Sequence, residues 1–184
     1  QTILDEVRHR PDQTLAQAMA RTHHTAQSEG PVMLSLACDN KKFVVERDGT
    51  LRFQASPGTG DNWFATSGEV RPAFGGPSLG ERTRHLDGGW LPIPCVVVAK
   101  DGVVYTQRTF VAPWDGAGAN SGGANPPSVC VAEFSASNAQ STSVRAHLAL
   151  TFLAVSNPPR PARLEAGPGG CRVMDQDRQI GLVV

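Results

Sequence analysis

The sequence predicts an all-β fold, a two-sheet antiparallel β-sandwich preceded by one N-terminal helix. Glycine and proline are abundant, at 19 and 14 residues in a chain of 184, which indicates many turns and few long helices. Beyond residue 30, short apolar and β-branched runs recur between turn residues at regular spacing, and about eight to ten strands of this kind are typical of a sandwich.

The chain divides into an N-terminal helical segment, residues 1–30, and a β-sandwich domain, residues 31–184. The run from Asp12 to Arg21 follows Pro11 and consists of helix-forming residues with a capping-type start. Its apolar residues recur at helical spacing, so we expect this helix to lie against a sheet. After residue 31 the hydrophobic period changes from helical to two, which indicates strands.

An Asp-Gly pair between two β-branched runs is the strongest short-range signal for a β-hairpin, and the chain carries it at Asp48-Gly49 and at Asp101-Gly102. The Pro-rich and Gly-rich stretches separate the remaining strands. In order, we predict a strand at 32–38, a hairpin over 42–53, one or two strands within 61–74, a hairpin over 90–111, a surface loop over 117–127, a hairpin formed by strands 128–136 and 143–155, and short strands near Cys171 and at 180–184.

Composition and charge exclude several classes of partner. The chain carries 17 basic and 17 acidic residues, whereas binding to nucleic acid or to an anionic membrane surface requires a basic face. No apolar run approaches the roughly 20 residues of a membrane-spanning helix. The first residue is Gln1, as in an exported mature chain or a trimmed product. We therefore expect no nucleic acid partner, no membrane span and an extracellular or periplasmic location.

The chain ends on an apolar run, Ile180 to Val184, although chain termini more often carry polar, poorly ordered residues. This run is expected either to be a final strand held in a sheet or to continue into a longer protein.

The four cysteines, Cys38, Cys95, Cys130 and Cys171, are widely spaced and lack the close pairs of a structural zinc site. Two disulfides would suit an exported chain, and buried thiols would suit the apolar strand context of each cysteine. We favour the thiols.

Signals for catalysis or for a metal are weak. The sequence has no Gly-x-Ser-x-Gly nucleophile elbow and no phosphate-binding loop. His85 and Asp87 offer two metal ligands without an identifiable third, so we expect no metal and no cofactor. Glu133 is the most interesting carboxylate because it lies within an apolar strand, although alternation predicts that it faces water. The candidates for the paired carboxylates of a glycosidase are Asp61, Glu69, Glu81, Asp87, Asp115 and Glu133.

The three tryptophans, Trp63, Trp90 and Trp114, each lie beside turn residues. A flat indole stacks on the apolar face of a pyranose, but it also caps the end of a β core with its N–H hydrogen-bonded. Capping is the favoured role for Trp63 and Trp90. Trp114 opens the small-residue loop and is the first ligand candidate; Asp115 beside it and Trp90 complete the predicted ligand-binding set.

One stretch carries a family resemblance. The run from Asp87 to Pro94, Asp-Gly-Gly-Trp-Leu-Pro-Ile-Pro, is followed by the run from Asp101 to Pro113, Asp-Gly-Val-Val-Tyr-Thr-Gln-Arg-Thr-Phe-Val-Ala-Pro. Together they resemble the N-terminal β-sandwich, of the supersandwich type, that precedes the (α/α)6 barrel in bacterial six-hairpin glycosidases. The resemblance covers roughly residues 32–155 and rests on strand and turn signals.

In that family the catalytic carboxylates lie on the helical barrel, for which this chain has no room. The resemblance therefore implies a non-catalytic, carbohydrate-related accessory domain, with carbohydrate as a candidate ligand and a catalytic barrel as a candidate neighbour in a longer parent chain. Two alternatives stay open. One is a stand-alone sandwich enzyme that uses Glu133 or the pair His85 and Asp87. The other is an assembly protein whose open sheet edges pair with partners.

Overall fold

A computed structural model describes residues 30–36, 41–54, 67–76, 80–113, 128–154, 160–175 and 178–184, together with Thr14 and Gln17. Most of these residues lie in antiparallel strands, which confirms the all-β prediction. The strands are β1 Val32–Leu34, β2 Phe43–Val45, β3 Leu51–Gln54, β4 Ser67–Phe74, β5 Glu81–Leu86, β6 Pro94–Lys100, β7 Val103–Pro113, β8 Ser128–Asn138, β9 Leu148–Ala154, β10 Arg160–Pro161, β11 Arg163–Gly167, β12 Gly170–Asp175 and β13 Arg178–Val183.

These strands form three sheets. A six-stranded sheet has the order β1-β2-β3-β4-β9-β10, a four-stranded sheet has the order β5-β6-β7-β8, and a three-stranded sheet has the order β11-β12-β13. In the last two sheets the strands follow the chain order. The six-stranded sheet does not, because β9 returns to pair with β4.

The predicted N-terminal helix falls outside the described residues, apart from Thr14 and Gln17. The Thr14 N–H donates to Gln17 Oε1 at 3.0 Å, and the Gln17 N–H donates to Thr14 Oγ1 at 3.3 Å. This reciprocal pairing across three residues is that of a capping box. A capping interaction is therefore present at Thr14, while the helix itself stays a prediction.

The hairpin predicted around Asp101-Gly102 is confirmed. Lys100 and Val103 are register partners at the ends of β6 and β7, and only the two turn residues separate them. Asp101 has φ 50° and Gly102 has φ 79°, the pair of positive φ values that defines a type I′ turn. This turn matches the right-handed twist of the strands, which explains why Asp-Gly predicts it so well.

The hairpin predicted around Asp48-Gly49 is also confirmed, with a longer loop. The Glu46 N–H donates to the Thr50 carbonyl at 2.8 Å, so three residues form the turn instead of two. The Asp48 carboxylate accepts the Thr50 N–H at 2.8 Å, and Gly49 has φ 88°. A type I turn that ends in a left-handed glycine is the next most common hairpin connection.

The prediction that strands 128–136 and 143–155 form one hairpin is wrong. β8 pairs with β7 along its whole length, and β9 pairs with β4 in the other sheet. Residues 143–147 are not a strand, because Val144 packs into an apolar cluster and the His147 carbonyl accepts the Gly75 N–H at 2.8 Å. Sequence alternation identifies a strand but not its partner, and here the chain crosses between sheets.

Two apolar clusters join the six-stranded sheet to the four-stranded sheet. In the first, Phe74 of β4 packs with four side chains of the other sheet, and its ring lies 5.9 Å from that of Tyr105. In the second, residues of β1, β2 and β3 pack with Val111 and Cys130. The buried members of the two clusters are Phe74, Val96, Val98, Val103 and Tyr105 in the first and Leu34, Val45 and Leu51 in the second.

A buried glutamine adds a polar link between the same sheets. Gln107 of β7 is 1% exposed, and its Nε2 donates to the Gly49 carbonyl at 2.9 Å and to Thr109 Oγ1 at 3.2 Å. A buried amide donor without a partner would be costly, so this contact holds the β2–β3 turn against β7.

Gly49→Ala should destabilise the fold far more than Gly169→Ala. Both glycines have positive φ, 88° and 80°, which costs a side chain about 1–2 kcal/mol at either site. A Cβ at Gly49 would also lie 2.3 Å from Gln107 Oε1, whereas at Gly169 it would meet nothing within 4 Å. We expect a further loss of about 1–3 kcal/mol for Gly49→Ala, measured by urea unfolding.

Combining Gly49→Ala with Gln107→Ala checks the cause. If the clash with Gln107 is responsible, the double variant should lose less stability than the sum of the two single variants. Additive losses would show that the contact with Gln107 is not what makes an alanine at position 49 destabilising.

Three cysteines of the described residues, Cys95, Cys130 and Cys171, are free thiols, whereas Cys38 lies outside them. Burial raises the pKa of the Cys130 thiol to about 12. Because the thiolate is the nucleophile, Cys130 reacts slowly at pH 8, where only about one thiol in ten thousand is ionised. We expect iodoacetamide to leave Cys130 unlabelled in the native protein and to label it in urea, as mapped by mass spectrometry. Equal labelling rates in the two states would contradict this burial.

Candidate functional site

A row of polar side chains crosses the outer face of the four-stranded sheet. His85 pairs with Cys95, Cys95 pairs with Arg108, and Arg108 pairs with Glu133 in the antiparallel register. Of these four residues Cys95 is buried, at 3% exposure. Directly opposed residues point to the same face of a sheet. Residues that span almost 50 positions of the sequence therefore lie side by side on four consecutive strands.

Arg108 is the centre of this row. Its Nη2 donates to Asp87 Oδ2 at 2.5 Å, and its Nη1 donates to Glu133 Oε2 at 2.7 Å. The three side chains remain 42%, 33% and 51% exposed, in the order Arg108, Asp87, Glu133. One guanidinium thus lies between two carboxylates that come from different elements and that a ligand in solvent can reach.

The ion pair between Asp87 and Arg108 stabilises the charged form of both groups. The hydrogen bond from Arg108 lowers the pKa of Asp87, helped by the Arg108 charge, the Gly88 N–H and His85, and outweighs the opposing effect of desolvation. The same hydrogen bond raises the pKa of Arg108. Charge-assisted bonds of this length hold a carboxylate in its ionised state and in a fixed orientation.

A glycine-rich turn places Asp87 beside Arg108. The chain leaves β5 into a 3-10 turn at Asp87–Gly89, in which Gly88 has φ 59° and Gly89 has φ 81°. The Asp87 carbonyl accepts the N–H groups of Trp90, at 3.3 Å, and of Leu91, at 3.0 Å. Positive φ at two successive positions favours glycine, so this Gly-Gly pair is what lets the chain reverse and enter β6.

The same turn carries Trp90, whose side chain is 38% exposed. A strand was predicted to begin at Trp90, but β6 begins at Pro94. The reason is that the residues between Leu86 and Pro94 form the chain reversal described above and are not part of a strand. Trp90 consequently lies next to the Asp87 end of the polar row, where an indole can contact a ligand.

Some of the residues singled out from the sequence lie at this row, and others do not. His85, Asp87, Trp90 and Glu133 all lie at the row or in its turn, and Glu133 faces solvent as alternation predicts. Arg108 was missed, because an arginine in an alternating strand reads as an ordinary solvent-facing residue. The predicted residues that lie outside the described part of the chain are Trp114, Asp115, Trp63 and Asp61.

The described residues contain no cluster of three or more His, Cys, Asp and Glu side chains that could hold a metal ion. At the row itself, the Arg108 guanidinium occupies the position between the carboxylates. A cation there would meet a like charge, so the arrangement suits neutral donors better than a metal ion.

A second charged region lies on the six-stranded sheet, where an open cavity of about 380 Å³ is lined by Glu46, Arg47, Asp48, Thr50, Arg52 and Glu69. Arg52 lies 3.7 Å from Glu46 and 3.8 Å from Glu69, and Arg71 also pairs with Glu69. Among the described residues that line the cavity none is aromatic. These charges balance one another, and exposed pairs of this kind contribute little specificity or stability.

Comparisons with known protein families, curated proteins and solved structures found no match. The resemblance to the six-hairpin glycosidase sandwich therefore stays a prediction. The described residues include no helix long and apolar enough to cross a membrane. What this chain does must be inferred from the row and its turn.

Stability should depend on pH through Asp87. Its pKa in the folded state lies below the ordinary value of 3.8, so its contribution is present above pH 3.8 and is lost as pH falls through the folded-state pKa. We expect Asp87→Asn to be less stable than the native chain at pH 7, with the difference shrinking as pH falls below 3.8 towards 2, as measured by urea unfolding across that range.

Arg108→Ala provides the control for this titration. In that background, Asp87→Asn should change stability much less between pH 7 and pH 2, because the main cause of the lowered pKa is gone. A stability difference that is independent of pH in the native background would refute the assignment.

Proposed function

We propose that this chain is a non-catalytic, glycan-binding accessory domain of a glycoside hydrolase-like protein, folded as a two-sheet β-sandwich of the supersandwich type. The observation that carries the proposal is the exposed Trp90 in the same turn as Asp87, whose carboxylate Arg108 holds in one array with Glu133. The apolar clusters that join the six-stranded and four-stranded sheets support the sandwich.

The array matches the hydrogen-bonding chemistry of sugars. Sugar hydroxyls are donors, and an ionised carboxylate offers about four acceptor positions. Arg108 occupies one position on Asp87 and one on Glu133. The remaining positions can accept hydroxyl groups through charge-assisted bonds, which are shorter and stronger than bonds between neutral groups.

Trp90 supplies the apolar half of such a site. A pyranose ring presents a face of C–H groups, and an indole is a large, rigid surface that it can cover at little cost in side-chain entropy. With 38% of its surface exposed, Trp90 is one of the exposed large apolar side chains among the described residues. Its backbone bond to the Asp87 carbonyl keeps the Trp90 backbone in the same turn as Asp87.

Binding is favoured over catalysis because Asp87 is held in the wrong protonation state for the acid of a glycosidase. A glycosidase needs one carboxyl group that keeps a proton near neutral pH to protonate the leaving group. Arg108 does the opposite at Asp87 by lowering its pKa, and it pairs directly with Glu133. The guanidinium also lies between the two carboxylates, where a scissile bond would have to fit.

An accessory role would place the chain in a longer protein and in an extracellular or periplasmic compartment, where polysaccharides are degraded. The resemblance of the stretches Asp87 to Pro94 and Asp101 to Pro113 to the six-hairpin glycosidase sandwich supports this context. Trp90 and Asp87 belong to the first of these stretches and Arg108 to the second, so the proposed site lies within the motifs that carry the resemblance.

Trp90→Ala should weaken glycan binding at least tenfold, because it removes the stacking surface while leaving the acceptor array intact. The measurement is isothermal titration calorimetry with neutral hexasaccharides of glucose, xylose, mannose and galactose. Trp90→Phe should lose less, since a smaller ring remains. The matched control is Leu164→Ala, which removes an exposed apolar side chain, 58% exposed, from the three-stranded sheet.

Two results would contradict this site. One is the absence of binding to every glycan of the panel by the native chain. The other is binding that survives Trp90→Ala but is lost in Trp114→Ala, which would move the site to the loop of the first ligand candidate.

A further inference from the structure

The outer face of the four-stranded sheet carries an excess of negative charge. Alternation along β5 puts Glu81 on the same face as His85, and thus on the face of the polar row. Three carboxylates, those of Glu81, Asp87 and Glu133, therefore accompany the single guanidinium of Arg108. With histidine counted as neutral, these four groups carry a net charge of −2.

The other basic residues of β5 do not offset this excess. Arg82 and Arg84 alternate with Glu81 and His85, so they point to the opposite face, where Arg84 is 6% exposed and donates to the Gly30 carbonyl at 2.5 Å. Lys100, at the end of β6, also alternates away from this face, and the position of a Cβ on Gly75 would be 2.9 Å from its side chain.

We propose that the site binds glycans without anionic groups and discriminates against uronates and sulfated sugars. This inference rests on the proposed function and names its ligand class. Its basis is the acceptor-rich, net negative face together with an arginine whose two terminal nitrogens already bond to carboxylates. Hydroxyl groups can donate to such a face, whereas a uronate carboxylate brings an acceptor and a like charge.

An anionic sugar would have to break an existing ion pair to reach Arg108. Displacing Asp87 or Glu133 would leave that carboxylate beside the incoming negative charge, and specificity often comes from this kind of repulsion. Arg108 alone on a sheet face would favour uronates, because a guanidinium matches a carboxylate with two parallel bonds. The two protein carboxylates reverse that preference by binding the guanidinium first.

The experiment compares the neutral hexasaccharides with hexagalacturonate, by calorimetry at about 10 mM salt, where the Debye length is about 30 Å. The native chain should bind its best neutral hexasaccharide at least tenfold more tightly than hexagalacturonate. Trp90→Ala should lower the affinity for the neutral ligand, which shows that the proposed site is the one being measured.

Glu81→Lys tests the charge excess directly. Glu81 lies four residues from His85 on the same strand, about 13 Å along it, and is outside the binding array. Reversing its charge should raise the affinity for hexagalacturonate about threefold at low salt, leave neutral binding unchanged, and lose its effect at 0.5 M salt. Glu165→Lys makes the same charge change on the three-stranded sheet, at a side chain that is 39% exposed, and should raise that affinity less.

The outcomes separate the inference from the function on which it rests. Equal or tighter binding of hexagalacturonate by the native chain, dependent on Trp90, would overturn the ligand class and keep the glycan-binding function. If Glu81→Lys and Glu165→Lys raised the affinity for hexagalacturonate equally, the negative charge of this face would not be the cause of the discrimination. A native chain that binds neither kind of hexasaccharide would overturn both proposals.

Discussion

The type I′ turn at Asp101-Gly102 fixes the strand pair on which both the apolar core and the polar row depend. It sets the register between β6 and β7, and a shift of one residue would exchange the two faces of a strand. In the observed register, Val96 and Tyr105 face the apolar cluster, while Arg108 lies on the opposite face beside Cys95, which is itself buried. The core and the polar row therefore both require the register that these two positive φ angles set between β6 and β7.

Strand β7 connects the interior between the sheets to the polar row through two adjacent residues, Gln107 and Arg108. Gln107 points inward and holds the β2–β3 turn through the Gly49 carbonyl, and Arg108 points outward and holds Asp87 and Glu133. β7 is hydrogen-bonded on both sides, by β6 and by β8. A site built on such a strand is positioned more precisely than a site on a loop.

Local signals in the sequence were sufficient to predict the two Asp-Gly hairpins. They were insufficient to predict which strands pair across longer stretches of the chain. Asp-Gly pairs predict turns because the required φ angles are a property of the turn residues themselves. The partner of β9 is not a local property, and the hairpin predicted with β8 was wrong for that reason. Similarly, alternation placed Glu133 on the outer face, but only the register shows that Arg108 is opposite to it.

Arg108 also decides what kind of chemistry the row supports. Two carboxylates brought together without a cation would repel each other, and one of them would take up a proton. That is the arrangement that an acid catalyst needs. With the guanidinium between them, Asp87 instead stays ionised and both side chains are held in place before any ligand arrives. A preorganised set of acceptors loses little conformational entropy on binding, so the same ion pairs that make this row a poor catalyst make it a good surface for sugar hydroxyls.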